Sequence, residues 1–226
     1  MIRAVVFDLW NTLVVNPGGS PFQQIAALLT PEQQQHFADL QRDGMTRSYL
    51  GAGAFLGAWR DRLGLSVDQM EAMISVFHSA EREAQLFPDA VDAVTRTGAL
   101  ARVALLSNTQ SFNMGLLDAL GLANQFRVMG ISSELGFLKP DPSAFEAIRI
   151  QLALFPGELA LVGDSWRDDV EGALNAGWTA IWLNCKAKPR PPHDPDAELV
   201  EIPDLSFVPA VIERLQAGAR CSTCLG

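Results

Sequence analysis

Residues 2–7, IRAVVF, form a short, nearly unbroken apolar run that stops at an acid, Asp8. A strand covered on both faces reads this way, because no position has to face water. From Pro17 to about Gln85 the apolar spacing becomes helical. TPEQQQHFADLQRDG opens with Thr30 as an N-cap and Pro31 at the first helical position, and Gly44 marks its expected end. GAFLGAWRDRLG keeps its apolar residues at helical spacing, and SVDQMEAMISVFHSAEREA begins with a capping box, Ser66 with Gln69. After Pro88, helix and strand alternate. DAVDAVTRTG, FNMGLLDALG, DPSAFEAIRIQLA and RDDVEGALNAG read as helices among the strands RVALLSN, FRVMGIS, LALVGDS and TAIWLN. KAKPRPPHDPD is a Pro-rich loop, AELVEI a last strand and SFVPAVIERLQAG a last helix.

This alternation predicts an α/β fold with a doubly wound parallel sheet, interrupted after its first strand by a helical insertion. Ligands of such sheets bind beyond the carboxyl ends of the strands. Asp8, Ser107, Asn108 and Asp164 stand at those ends, with Asp168 and Asp169 opening the helix after Asp164. Asp8 alone reads more readily as a turn residue than as a functional one. Together, Asp8 and Asp164 would repel each other without a cation, and a hard ion such as Mg²⁺ removes that cost. Around an anion, LLSNT offers the Ser107 hydroxyl and the amides that follow it. Lys139, the first lysine in the chain, lies before Pro140 in the loop after a core strand.

Composition narrows the picture further. A net charge of −9 with three lysines, Lys139, Lys186 and Lys188, leaves no electrostatic footprint for nucleic acid or an anionic membrane. No apolar run reaches spanning length, and the chain enters its first strand without a signal-peptide pattern, so a cytoplasmic location is expected. Of Cys185, Cys221 and Cys224, the last two form a C-x-x-C with no second pair to complete a zinc site, which reads as a frayed tail of reduced thiols. His36 and His78 lack partners at ligand spacing. Phe22, Tyr49, Phe55 and Trp59 read as helix core rather than as pocket.

Four motifs in order, FDLWNTL, LLSNT, GFLKPDP and VGDSWRDDVEGA, resemble those of the haloacid dehalogenase superfamily of hydrolases. The resemblance spans nearly the whole chain. It implies a Rossmann-like catalytic core, residues 1–14 and 87–226, with an α-helical cap domain, residues 15–86, that closes over the site and selects the substrate. It further implies a Mg²⁺-dependent phosphatase acting on a small phosphate ester, with Asp8 as the nucleophile that forms an aspartyl-phosphate. Ser107 and Lys139 would hold the phosphoryl group with Asn108 beside them, and Asp8, Asp164 and the Trp10 backbone carbonyl would hold Mg²⁺. Asp169 matches the second acid of the fourth motif, with Asp168 next to it.

One position departs from the pattern. Phosphatases of the superfamily place a second aspartate two residues after the nucleophile, as general acid and base. Here Trp10 stands there, and losing such a group removes typically about 10²–10⁴ in rate. Slow turnover is therefore expected. Two alternatives stay open: a near-inactive phosphate- or partner-binding protein, and a metal-independent 2-haloacid dehalogenase. The dehalogenases carry an aromatic residue at this position but lack the counterpart of Asp164. In that reading Arg42, Arg47, Arg60, Arg62 and Arg82 would supply the grip on a carboxylate. Phosphonate-cleaving relatives need a cap lysine, and no lysine precedes Lys139.

Overall fold

The computed structural model describes residues 1–222. Six parallel strands form the main sheet: β1 (Ala4–Phe7), β4 (Arg102–Ser107), β5 (Val128–Ile131), β6 (Leu159–Gly163), β7 (Thr179–Leu183) and β8 (Leu199–Ile202). Their order across the sheet is β5-β4-β1-β6-β7-β8. The chain builds outward from β1 to β5, then returns to the other side of β1 with β6. The order therefore reverses between β1 and β6, the place where open α/β sheets bind ligands. All four residues of β1 are buried, as its unbroken apolar run predicts. Val5 and Phe7 join one core with the helices α6 (Ala90–Leu100) and α11 (Val208–Ser222). Ala4 and Val6 join the opposite core with α9 (Pro142–Leu152) and α10 (Gly172–Asn175). The alternation of side chains along a strand separates the two cores.

The insertion leaves and re-enters the core through a small antiparallel pair, β2 (Val14–Val15) and β3 (Gln85–Leu86). Between them lie five helices: α1 (Pro21–Ala26), α2 (Pro31–Gln34), α3 (Phe37–Thr46), α4 (Ala52–Leu63) and α5 (Val67–Glu83). Both expected N-caps form as capping boxes, Thr30 with Gln33 and Ser66 with Gln69. The two box glutamines also bond each other, Gln69 Nε2 to Gln33 Oε1 at 3.0 Å. Phe22, Phe55 and Phe77 fill the centre of this helical cluster edge to face. Phe55 thus belongs to the insertion's core, and Trp59 and Tyr49 donate to Asp43 at its margin.

Three local expectations are corrected. The helix expected from Thr30 to Gly44 is two helices, broken near His36, and the second runs through Gly44 to Thr46. Gly44 does not stop a helix; a Cβ there would lie 2.9 Å from the Phe55 ring and 3.0 Å from the Phe22 ring. FNMGLLDALG is a 3₁₀ turn, Ser111–Asn113, followed by the short α7 (Leu116–Ala119). RDDVEGALNAG opens as a π-helical turn, Trp166–Glu171, before α10. A further short helix, α8 (Ser132–Leu135), leaves the end of β5.

The C-x-x-C falls at the end of the chain, and Cys224 lies outside the described residues. Cys185 is free and exposed. No helix among the described residues is long and apolar enough to cross a membrane.

Gly44→Ala should destabilise the protein by about 1–3 kcal/mol, because the new methyl overpacks the Phe22–Phe55 contact. A denaturant titration followed by circular dichroism measures the loss.

Candidate active site

The carboxyl ends of β1, β4 and β6 bring the expected residues together. Asp8 follows β1, Ser107 closes β4 and Asp164 follows β6. Asp8, Lys139 and Asp169 are 6%, 4% and 1% exposed. The Lys139 ammonium sits between the two acids, 2.7 Å from Asp8 Oδ1 and 2.6 Å from Asp169 Oδ1. Asp169 Oδ2 accepts from the Ser165 amide at 2.9 Å, so both its oxygens are occupied. A Cβ on Gly163 would come within 2.3 Å of the Asp169 carboxyl, so glycine at the end of β6 makes room for this brace.

Asn108 clamps the main chain of Lys139: its Oδ1 accepts from the Lys139 amide at 2.7 Å and its Nδ2 donates to the Lys139 carbonyl at 2.9 Å. Its amide is thereby committed to holding the lysine. The Ser107 hydroxyl is fully buried and has no hydrogen-bond partner. A hydroxyl left so is costly without a ligand to receive it. Ser165 caps the π-helical turn by accepting from the Asp168 amide. Asp168 lies at the cleft wall.

The carboxylate oxygens of Asp8, Asp164 and Asp169 approach within 4.8 Å of one another. Burial pushes the Asp8 carboxyl up to about 7, with Lys139 pulling it down and Asp169 and Asp164 pushing it higher. Burial, and then Asp169, raises Asp164 to about 6, against the pull of Lys188 and Lys139. Burial by itself lowers Lys139, but the charges of Asp169 and Asp8 outweigh it and hold the ammonium above its ordinary range. A concentration of buried negative charge with two carboxyls raised in this way suits a hard divalent cation, which would hold both ionised.

Trp10 donates its indole N–H to Thr109 Oγ1 at 3.0 Å. The Thr109 amide donates to Ser132 Oγ, which donates to the Met45 carbonyl of the insertion at 2.7 Å. Of the five arginines of the insertion, Arg62 pairs with Asp39 and lies over Trp59, Arg47 pairs with Asp43, and Arg82 bonds Ser79. Arg42 borders a groove beside Lys139. Lys188 is a residue that the sequence motifs do not mark. It lines the cleft of about 390 Å³ that contains Asp8, Trp10 and Asp164. Asn184, at the end of β7, holds it there by accepting from the Lys188 amide and donating to its carbonyl. Its position in a loop beyond a strand's carboxyl end was the available signal.

Residues 2–177 match the model of the haloacid dehalogenase-like hydrolases. The chain belongs to this family. It is 28% identical over 169 residues to the phosphoserine phosphatase of Thermus thermophilus, covering 70% of this chain and 68% of that one. It is 27% identical over 193 residues to the phosphoglycolate phosphatase of Yersinia pseudotuberculosis, covering 80% and 81%. Among solved structures, a 2-haloacid dehalogenase from Pseudomonas syringae pv. tomato superposes with a TM-score of 0.70 at 24% identity, over 95% of this hydrolase and 99% of that chain. That last likeness is one of fold.

Lys139→Met should leave Asp8 and Asp169 buried without a counter-charge and lower stability by about 3–5 kcal/mol. The Asp8 pKa of about 7 exceeds the ordinary 3.8, so ionising Asp8 costs stability as pH rises through that interval. Without the ammonium that cost grows. Denaturant titrations should therefore show a larger loss near about pH 8 than near about pH 5.5, where the carboxyl takes up a proton.

Proposed function

We propose that this hydrolase is a Mg²⁺-dependent phosphomonoesterase that works through a phosphorylated Asp8, and that residues 15–86 act as its cap domain. The observation that carries the reading is the buried Lys139 bridging Asp8 and Asp169 beside Asp164 and an unpartnered Ser107 hydroxyl. Lys139 ties up Asp8 Oδ1 and leaves Oδ2 to attack phosphorus. A bond forms from Asp8 Oδ2 to phosphorus while the bond to the ester oxygen breaks, and water later displaces phosphate from Asp8. The Ser107 hydroxyl and the Lys139 ammonium face the oxygens of the transferred group and stabilise their charge. Asp8, Asp164 and the Trp10 backbone carbonyl would hold Mg²⁺. When bound, the ion offsets the negative charge that carboxylates and phosphoryl oxygens bring together. Asp169 has no oxygen to spare and acts by positioning Lys139.

The leaving oxygen needs a proton, and Trp10 does not provide one. Its only N–H is bonded to Thr109, and an indole neither gains nor loses a proton near neutral pH. Turnover is accordingly slow, and Trp10 serves instead as a wall of the site. The dehalogenase reading shares that aromatic wall, but it gives no role to Asp164, the third acid of the cluster.

Asp8→Asn should abolish phosphate release from a panel of phosphate esters while the circular dichroism spectrum stays unchanged. Chelation of Mg²⁺ should do the same. Halide release from 2-haloacids that survives chelation would favour the dehalogenase instead.

Trp10→Asp should raise kcat on a phosphate ester about ten- to a hundredfold, by restoring part of a general acid–base contribution. The effect belongs in kcat, because proton transfer to the leaving group is a transition-state event. The lost indole costs roughly 3 kcal/mol of stability, so rates are compared at a temperature where both proteins are folded.

A further inference from the structure

The catalytic cleft shares Trp10, Asn11 and Asn108 with a second recess of about 210 Å³, enclosed between the sheet's carboxyl edge and the helices α1 and α3. Trp10, Phe22 and Met45 give it apolar walls, and Asn11, Ser20 and Gln110 give it polar ones. Among the described residues, no ionisable side chain lines it. This contrasts with its surroundings, since the cleft contains Lys139, Lys188 and four aspartates, and the groove on the other side contains Arg42, Arg167 and Asp141.

Some of the polar lining is already committed. The Asn16 amide bonds the Gly18 amide and the Ala80 carbonyl, and Asn108 holds Lys139. Ser20 is different: it precedes α1 without making a side-chain capping bond, which leaves its hydroxyl for a ligand. Gln110 Oε1 accepts from Thr109 Oγ1 at 3.5 Å, so the Ser20 hydroxyl and the Asn11 side-chain amide are the groups left for a ligand, and an apolar ring face beside them suits a molecule with C–H faces and hydroxyl edges. At about 30 Å³ per water-sized group, the volume admits roughly seven non-hydrogen atoms.

Resting on the phosphatase reading above, we infer that this recess receives the leaving group and that the substrate is the phosphate ester of a small uncharged polyol or sugar. A carboxylate or ammonium on the leaving group would be stripped of water there with no opposite charge to meet it. The chain therefore discriminates against phosphoserine and phosphoglycolate, the compounds named for two of its relatives.

The test measures kcat/KM with Mg²⁺ for esters whose leaving groups have roughly five to eight non-hydrogen atoms: glycerol 3-phosphate and erythritol 4-phosphate against phosphoglycolate and O-phosphoserine. The neutral set should exceed the charged set by about a hundredfold. Equal or better turnover of the charged esters overturns the inference and leaves the phosphatase reading standing. Turnover of none of these, nor of p-nitrophenyl phosphate, removes both. A variant tests the location. Ser20→Arg places a guanidinium in the recess without removing a capping bond, and should shift the ratio about tenfold towards phosphoglycolate. A folded Ser20→Arg protein with an unchanged ratio shows that the leaving group lies elsewhere and overturns the assignment.

Discussion

A lysine ammonium held 2.7 Å from one buried carboxylate and 2.6 Å from another governs the architecture around it. Two such acids cannot share the interior without a cation between them, and a buried cation cannot stay charged without them. The surrounding chain is arranged to keep the three in place. Asn108 grips the Lys139 backbone on both sides, the Ser165 amide fixes the far oxygen of Asp169, and Gly163 leaves the gap that Asp169 fills. Three segments distant in sequence, the ends of β1 and β6 and the loop before α9, are locked to one point. Net negative charge still remains there, as the raised Asp8 and Asp164 carboxyls show, and that residue of charge suits a divalent ion.

Trp10 links this centre to the insertion. Its indole N–H meets Thr109, whose amide meets Ser132, whose hydroxyl meets the Met45 carbonyl in α3. Other contacts reinforce the same junction. Ser48 donates to the Ser133 carbonyl, the Tyr49 amide donates to Ser111 Oγ, and the Phe112 ring of the core packs against Phe55 and Phe77. The residue that fails as a proton donor is thus also a strut between core and insertion. Exchanging it for an acid changes the chemistry of the site and the seating of the insertion together.

Much of this was legible along the chain. Unbroken apolar runs specify strands buried on both faces, and their alternation with helices leaves a parallel sheet as the packed arrangement. Thr30 and Ser66 begin helices because capping is local chemistry between residues three apart. Asp8, Ser107 and Asp164 could be read together because strand polarity alone brings them to one edge of the sheet. Gly44 misled for the opposite reason. A glycine ends a helix by taking a left-handed backbone, as Gly64 does at φ 61°, whereas Gly44 keeps helical backbone and serves to admit the rings of Phe22 and Phe55.

By itself, then, the sequence determined the strands, the helical insertion after β1 and the acids at the strand ends, all of which follow from local periodicity and chain direction. The tertiary structure decided which groups are spent and which are free. It committed Asn108 to the lysine backbone and both Asp169 oxygens to bracing, while leaving Ser107 without a partner. It also brought Lys188 into the cleft and left the neighbouring recess uncharged. The Ser165–Asp169 bond is local, but the contacts that join Lys139 to Asn108, Asp169 and Asp8 span 31, 30 and 131 positions, and no local pattern encodes them.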